Sequence, residues 1–141
     1  MPKTADFPGW TFLTLKRGAW APVSLLTIHA IALFGMDAYE RFPPIDIPMH
    51  FLGGVSAGYF LRCALMAASE CGLCLPLKPA ARHRLVLAIT LAVTIAWEIA
   101  EFLIDRNFGT HLQLGIGDTL KDMLLGVLGA GTLVFLAPRN R

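Results

Sequence analysis

Apolar positions in this chain run in long blocks rather than at the period of a strand or a half-buried helix. The blocks cover residues 20–36, 47–68, 84–105 and 118–136. Each is near the ~20 apolar residues that a helix needs to cross a bilayer, the first slightly short of it. Polar, Pro- and Gly-containing loops separate them at residues 38–46, 69–83 and 106–117. The pattern predicts an all-α integral membrane bundle of four transmembrane helices over residues 20–141. Residues 1–19 mix Phe7, Trp10, Phe12 and Leu13 with Lys16 and Arg17. They read either as an interfacial arm lying on the membrane surface or as a loosely ordered tail.

Punctuation supports these bounds. Trp20 and Pro22 open the first block and Asp37 follows it. Asp46 stands where an N-cap of the second helix would, with Pro48 in the first turn. Gly54 and Gly58 are four apart, a spacing that lets helix backbones approach closely. No apolar run with a small-residue cleavage site follows Lys3, so the first residues do not read as a signal peptide.

Composition agrees with the pattern. Of 141 residues 55% are hydrophobic and only 16% charged, against about 25% charged in soluble domains. The formal charge of +2 and the absence of a basic, aromatic-interleaved run argue against nucleic acid as a partner. The lipid bilayer is the partner implied. Cys71 and Cys74 form a C-x-x-C with His83 nearby, but the spacing fits no common zinc finger, and these cysteines read as reduced thiols.

Basic residues set the orientation. With the N-terminus in the cytoplasm, nine of the twelve Lys and Arg fall inside, leaving Arg41, Arg106 and Lys121 outside. Only Asp6 and Glu70 of the ten acids fall inside. This split obeys the positive-inside rule and places both termini in the cytoplasm.

That topology brings the chain's polar residues to one level. His50 lies one turn in from Asp46, Asp122 one turn in from Asp118, and Glu101 and Glu98 one and two turns in from Asp105. Glu98, Glu101 and Asp105 share one helix face, as do Asp118 and Asp122. A carboxylate in the apolar part of a membrane costs ~2.5–3.5 kcal/mol and carries a function by default. Glu98 and Glu101 also sit toward the C-terminal end of their helix, where the macrodipole disfavours negative charge.

As acid–base groups the candidates are His50, Glu98, Glu101 and Asp122. As ligands of a divalent metal ion such as Mg, Mn, Zn or Fe they are His50, Glu101, Asp118 and Asp122. Asp46, Asp105, His111 and Gln113 are supporting residues. Plainer readings stand beside these. Asp46 and Asp118 would serve as N-caps, Asp105 would pair with Arg106, and Asp122 would be neutralised by Lys121 or Arg41. His29, alone in the first block, would be a packed, hydrogen-bonded side chain. E-x-x-E at Glu98 and Glu101 is not the E-x-x-H of di-iron bundles. G-x-S-x-G, phosphate-loop, H-E-x-x-H and C-x-x-C-H motifs are missing from the sequence.

Four motifs in order carry a resemblance: D-I-P-M-H-F-L-G-G at 46–54, W-E-I-A-E-F at 97–102, D-R-N-F-G-T-H-L-Q-L-G at 105–115 and D-T-L-K-D-M at 118–123. Together they resemble the YjdF-like family of uncharacterised bacterial inner-membrane proteins, over about residues 37–131. The layout is more distantly similar to VanZ-like proteins. The resemblance implies a multi-pass protein of the bacterial inner membrane, and by analogy a role in the cell envelope. The chain is shorter than that family leads one to expect, by one or more N-terminal spans.

Two function classes stay open. One is a site acting on a lipid-linked or polar envelope substrate from the outer leaflet. The other is a non-catalytic membrane subunit, in a homo-oligomer or a larger complex, whose acids anchor hydrogen bonds. Proton-coupled transport is weaker, because polarity stops about halfway through the bundle and only His29 lies deeper.

Overall fold

The computed structural model describes residues 5–137. Lys3, Arg139 and Arg141, used above for orientation, lie outside them. The fold is all-helical, with no strand among the described residues. α1 is Phe7–Gly18 and α2 is Trp20–Ala30, which continues as a π-helical turn over Ile31–Gly35. α3 is the short Ala38–Arg41, and a 3-10 turn at Pro43–Ile45 leads into α4, Asp46–Glu70. α5 is Pro79–Phe108 and α6 is Ile116–Leu136.

The expected bounds hold to within a turn for most of these elements, and local chemistry explains the ends. Pro79 opens α5, where its missing N–H costs nothing. Gly109 closes it at φ 66, with its N–H on the Asp105 carbonyl. That left-handed cap is favoured at glycine. α5 therefore runs one turn past the expected end at residue 105.

Three helices, α4, α5 and α6, are each long and apolar enough to cross a membrane. The first span is different. Trp20–Gly35 reaches the required length only together with α1, from which it is bent by 55°. The bend falls at Ala19, three residues before Pro22. A proline ring offers no N–H to the carbonyl four residues back, here Gly18, and so kinks a helix.

Residues 7–18 are a regular helix, with the Asp6 carboxylate capping the Gly9 N–H at 2.9 Å. This helix packs on the C-terminal half of α4. Trp10 Nε1 donates to the Ala64 carbonyl at 3.0 Å, and Tyr59 Oη donates to the Arg17 carbonyl at 3.1 Å. Arg17 pairs with Glu70 at 2.7 Å, but both side chains are more than 40% exposed, so this pair adds little.

α4 is the hub of the bundle. It packs on α1, α2, α5 and α6, while α5 also packs on α6. Small residues set the α4–α6 distance. Gly54 lies directly on the Gly126 backbone, Gly129 on the Phe51 carbonyl, and Gly58 on Ala130 and Leu133. The Gly54/Gly58 face thus has the close-packing role its spacing suggests.

Polarity runs inside out. On α5, Val86, Thr90, Glu98 and Glu101 are buried, while Leu91, Ile95, Ile99 and Phe102 are exposed. On α6, Asp122, Gly126, Gly129 and Ala130 are buried, while Leu120, Leu124 and Leu128 are exposed. Water would penalise that arrangement and lipid favours it.

Candidate functional site

The end of the π-helical turn, the start of α4, the end of α5 and the start of α6 lie at one end of the bundle. His50 is ~6 Å inside the start of α4, Asp122 ~9 Å inside α6, and Glu101 ~10 Å inside the end of α5. Three helices therefore deliver their polar residues to one depth. Relative exposure is 5% for Glu98, 3% for Glu101 and 2% for Asp122, so these carboxyls face protein rather than lipid.

His50 is the centre. Its Nε2 lies 3.0 Å from Asp46 Oδ1, 3.7 Å from Glu101 Oε1 and 3.9 Å from Asp122 Oδ2. Its Nδ1 lies 3.8 Å from Glu98 Oε1. The short contact to Asp46 spans one helical turn. With Nε2 on Asp46, Nδ1 is the ring nitrogen that faces Glu98.

Asp46 is not the N-cap of its helix. Ile45 holds that position, and the preceding 3-10 turn already places Asp46 inside the helix. Its carboxylate instead serves His50 and Lys121.

Lys121 holds the other half of the cluster. Its Nζ is 2.6 Å from Asp118 Oδ1, 3.1 Å from Asp46 Oδ2 and 3.2 Å from Asp122 Oδ1. The last contact has ion-pair distance but not hydrogen-bond geometry, since Asp122 Oδ1 has no hydrogen-bond partner. Arg41 takes no part, lying 3.8 Å from Asp37 in an exposed pair. Asp118 is not an N-cap either, because Gly115 precedes the helix. Its Oδ2 accepts the Leu114 N–H at 3.3 Å, so it ties the loop to the helix from the first turn.

Asp105 organises that loop rather than pairing with Arg106. Oδ1 accepts from Thr110 Oγ1 at 2.6 Å and Leu112 N at 2.9 Å, and Oδ2 accepts from Gln113 N at 2.9 Å. The loop is drawn back over the helix end and Gln113 turns inward. Gln113 Nε2 donates to Thr119 Oγ1 at 3.1 Å and more weakly to the Glu98 carbonyl at 3.5 Å. His111 is exposed and stays outside the cluster.

Two groups offer ligand atoms close enough together to share an ion: Asp46, His50 and Asp122, and His50, Glu98 and Glu101. Of the four expected ligands, His50, Glu101 and Asp122 fall in these groups. Asp118 does not, and its Oδ1 pairs with Lys121 instead. Glu98 Oε1 is buried without a hydrogen-bond partner.

Sequence reasoning missed three contributors. Trp97 Nε1 donates to Glu101 Oε1 at 2.8 Å, a pair whose i, i+4 spacing was visible. Thr119 has no sequence signal of its own. Tyr39 Oη lies 2.6 Å from His29 Nδ1, and only the folded chain reveals that pair. Burial raises the Tyr39 phenol above its ordinary range, so it keeps its proton.

His29 is buried and hydrogen-bonded, as the plainer reading has it, and packs edge-on to Trp97 at 5.1 Å between ring centroids. It also borders a cavity of about 220 Å³ between α2, α4 and α5, to which His50, Trp97 and Glu101 contribute.

Fold and site together define a multi-span helical membrane protein with a carboxylate/histidine cluster buried at one end of its bundle. The chain belongs to the family described as predicted membrane protein (DUF2238), which matches residues 10–140. That membership agrees with the resemblance to YjdF-like membrane proteins. No curated protein and no solved structure matches the chain.

Proposed function

We propose that the cluster is a divalent-cation site with acid–base capacity, acting on a cell-envelope substrate at the outer face of the bacterial inner membrane. The observation that carries this is the set His50, Glu98 and Glu101. Their ligand atoms converge from two helices, and Glu98 Oε1 is buried with no hydrogen-bond partner. Five carboxylates surround one imidazole and one ammonium. Such an excess repels itself strongly in low dielectric and persists only when protons or a cation balance it.

The neighbours of the candidate ligands fit the same reading. Asp46 on His50 Nε2 and Trp97 on Glu101 hold two candidate ligands in place, as outer-shell partners do at metal sites. Imidazole with carboxylates suits Mn, Fe or Zn better than Ca.

The Lys121 half supports a second reading. Lys121 already joins Asp46 of α4 to Asp118 and Asp122 of α6. In a non-catalytic subunit these bonds would anchor α4 to α6, and the remaining acids would be hydrogen-bond anchors of the same kind.

Glu101→Gln separates the two. It keeps shape and hydrogen bonding but removes a charge. Mn²⁺ binding to the purified protein, measured by titration calorimetry, is expected to be lost while insertion and thermal stability hold. A wild-type protein that binds neither Mn²⁺ nor Zn²⁺ ends the cation reading. An unchanged Mn²⁺ affinity in Glu101→Gln removes Glu101 from the site.

A further inference from the structure

The cavity beside the cluster has two unlike ends. Along α4 it runs from Met49 to Ala57, eight residues or ~12 Å of helix. His50, Glu101 and His29 lie toward one end. The walls beyond them are mostly apolar, with Leu25 and Leu26 from α2 and Val93 from α5.

Leu26 is 49% exposed and Val93 43% exposed, yet both line the cavity. A residue that lines a cavity and is also exposed marks its mouth. Both residues lie within the membrane-spanning stretches of their helices, so the mouth faces hydrocarbon rather than water.

His29 adds an independent observation. The residue is 8% exposed and borders the cavity. Nδ1 is taken by Tyr39, and Nε2 is buried with no hydrogen-bond partner among the described residues. A buried polar atom left unmatched is unfavourable, and a ligand group at that position would satisfy it.

We infer that this cavity takes one hydrocarbon chain of an amphiphile that enters between α2 and α5, with its polar head at His50, Glu101 and His29. Volume limits the occupant. A cavity of ~150 Å³ takes one benzene, and drug-sized ligands need ~300–1,000 Å³. About 220 Å³ suits part of a single chain rather than a diacyl lipid. A head rich in hydroxyl groups matches a pole of carboxylates and imidazoles. The inference rests on reading the cluster as a site and names its substrate class as single-chain lipids.

The test uses the full-length protein in lipid nanodiscs. The probe is a decyl glycerol ether with a diazirine at the chain end, activated by light and mapped by peptide mass spectrometry. Adducts are expected at Pro22 and Ala57, where the chain end would lie, in preference to lipid-facing Leu91 and Leu128. Excess unlabelled decyl glycerol ether should displace the probe. A geranyl glycerol ether that competes better would mark a prenyl rather than an acyl chain.

Gly53→Leu fills the middle of the cavity and should abolish these adducts. Gly53→Ala should retain them, because a Cβ there meets only Leu25 Cδ2 at 4.0 Å. Should Gly53→Leu fail to fold, Val93→Trp at the exposed mouth should block entry instead. Adducts spread evenly over Leu91 and Leu128, or unchanged in Gly53→Leu and Val93→Trp alike, overturn the inference. Labelling that persists in a protein unable to bind Mn²⁺ leaves the chain site standing and counts against the cation reading alone. Mn²⁺ binding without cavity labelling does the reverse.

Discussion

At the scale of single residues, the proposed site depends on what holds each candidate ligand still. Asp46 is 3.0 Å from His50 Nε2, and that contact leaves Nδ1 as the ring nitrogen that faces Glu98. Asp46→Asn can still accept a hydrogen bond but loses the charge that favours the imidazole N–H. Losses of outer-shell carboxylates cost ~10–100-fold in metal affinity. That fall is expected for Mn²⁺ in Asp46→Asn by calorimetry, and an unchanged affinity would make Asp46 only a tie to Lys121.

Asp105 illustrates a different use of a carboxylate. It accepts three hydrogen bonds and so folds residues 110–113 over the end of α5. Hydrogen bonds to a charged group contribute ~1.5–3 kcal/mol each at most. Asp105→Ala is expected to lower thermal stability and to speed amide exchange at Leu112 and Gln113. Slow exchange there in the variant would mean that the loop holds by other contacts.

Both residues show what sequence could and could not supply. The acids and their helix faces were legible, because charge inside an apolar block stands out at any spacing. Their jobs were not. Asp46 and Asp118 occupy positions where N-caps are common, and only the backbone reveals that Ile45 and Gly115 hold those positions instead. The Tyr39–His29 pair joins elements whose facing the sequence leaves open.

At the scale of elements, glycines on α4 do unlike things one residue apart. Gly54 lies on the Gly126 backbone, which cannot yield as a side chain does, while Gly53 faces the cavity. Gly54→Ala therefore forces α4 and α6 apart and should cost ~1–3 kcal/mol or more. Gly53→Ala should be neutral or stabilising by up to ~1 kcal/mol, since glycine is a poor helix former. Thermal unfolding of the two variants in the same detergent checks the contrast. Equal effects would mean that α4 and α6 are not held at this distance. The Gly54/Gly58 spacing announced a close contact. It could not name the partner, because α6 carries Gly126 and Gly129 at a spacing of its own.

At the scale of the whole molecule, four apolar blocks made the helical bundle readable, since lipid leaves the chain few alternatives. The first block was the exception, as Trp20–Gly35 is too short alone and its bend against α1 follows from Pro22. The remaining issue is which end of the bundle faces out, and charge supplies the prediction. Lys78 lies in the α4–α5 connection and His111 in the α5–α6 connection, and both are exposed. They are at opposite ends of the 30-residue α5, ~45 Å apart along its axis. Arg62, Lys78, Arg82 and Arg84 gather toward the Lys78 end, which the positive-inside rule assigns to the cytoplasm. In a variant without Cys63, Cys71 and Cys74, a cysteine at position 111 should react with an impermeant maleimide in intact cells. A cysteine at 78 should react only after permeabilisation. Labelling at 78 from outside, or at 111 only from inside, would invert the protein. The cluster would then face the cytoplasm, and an outer-leaflet substrate would be excluded even with the cation site intact.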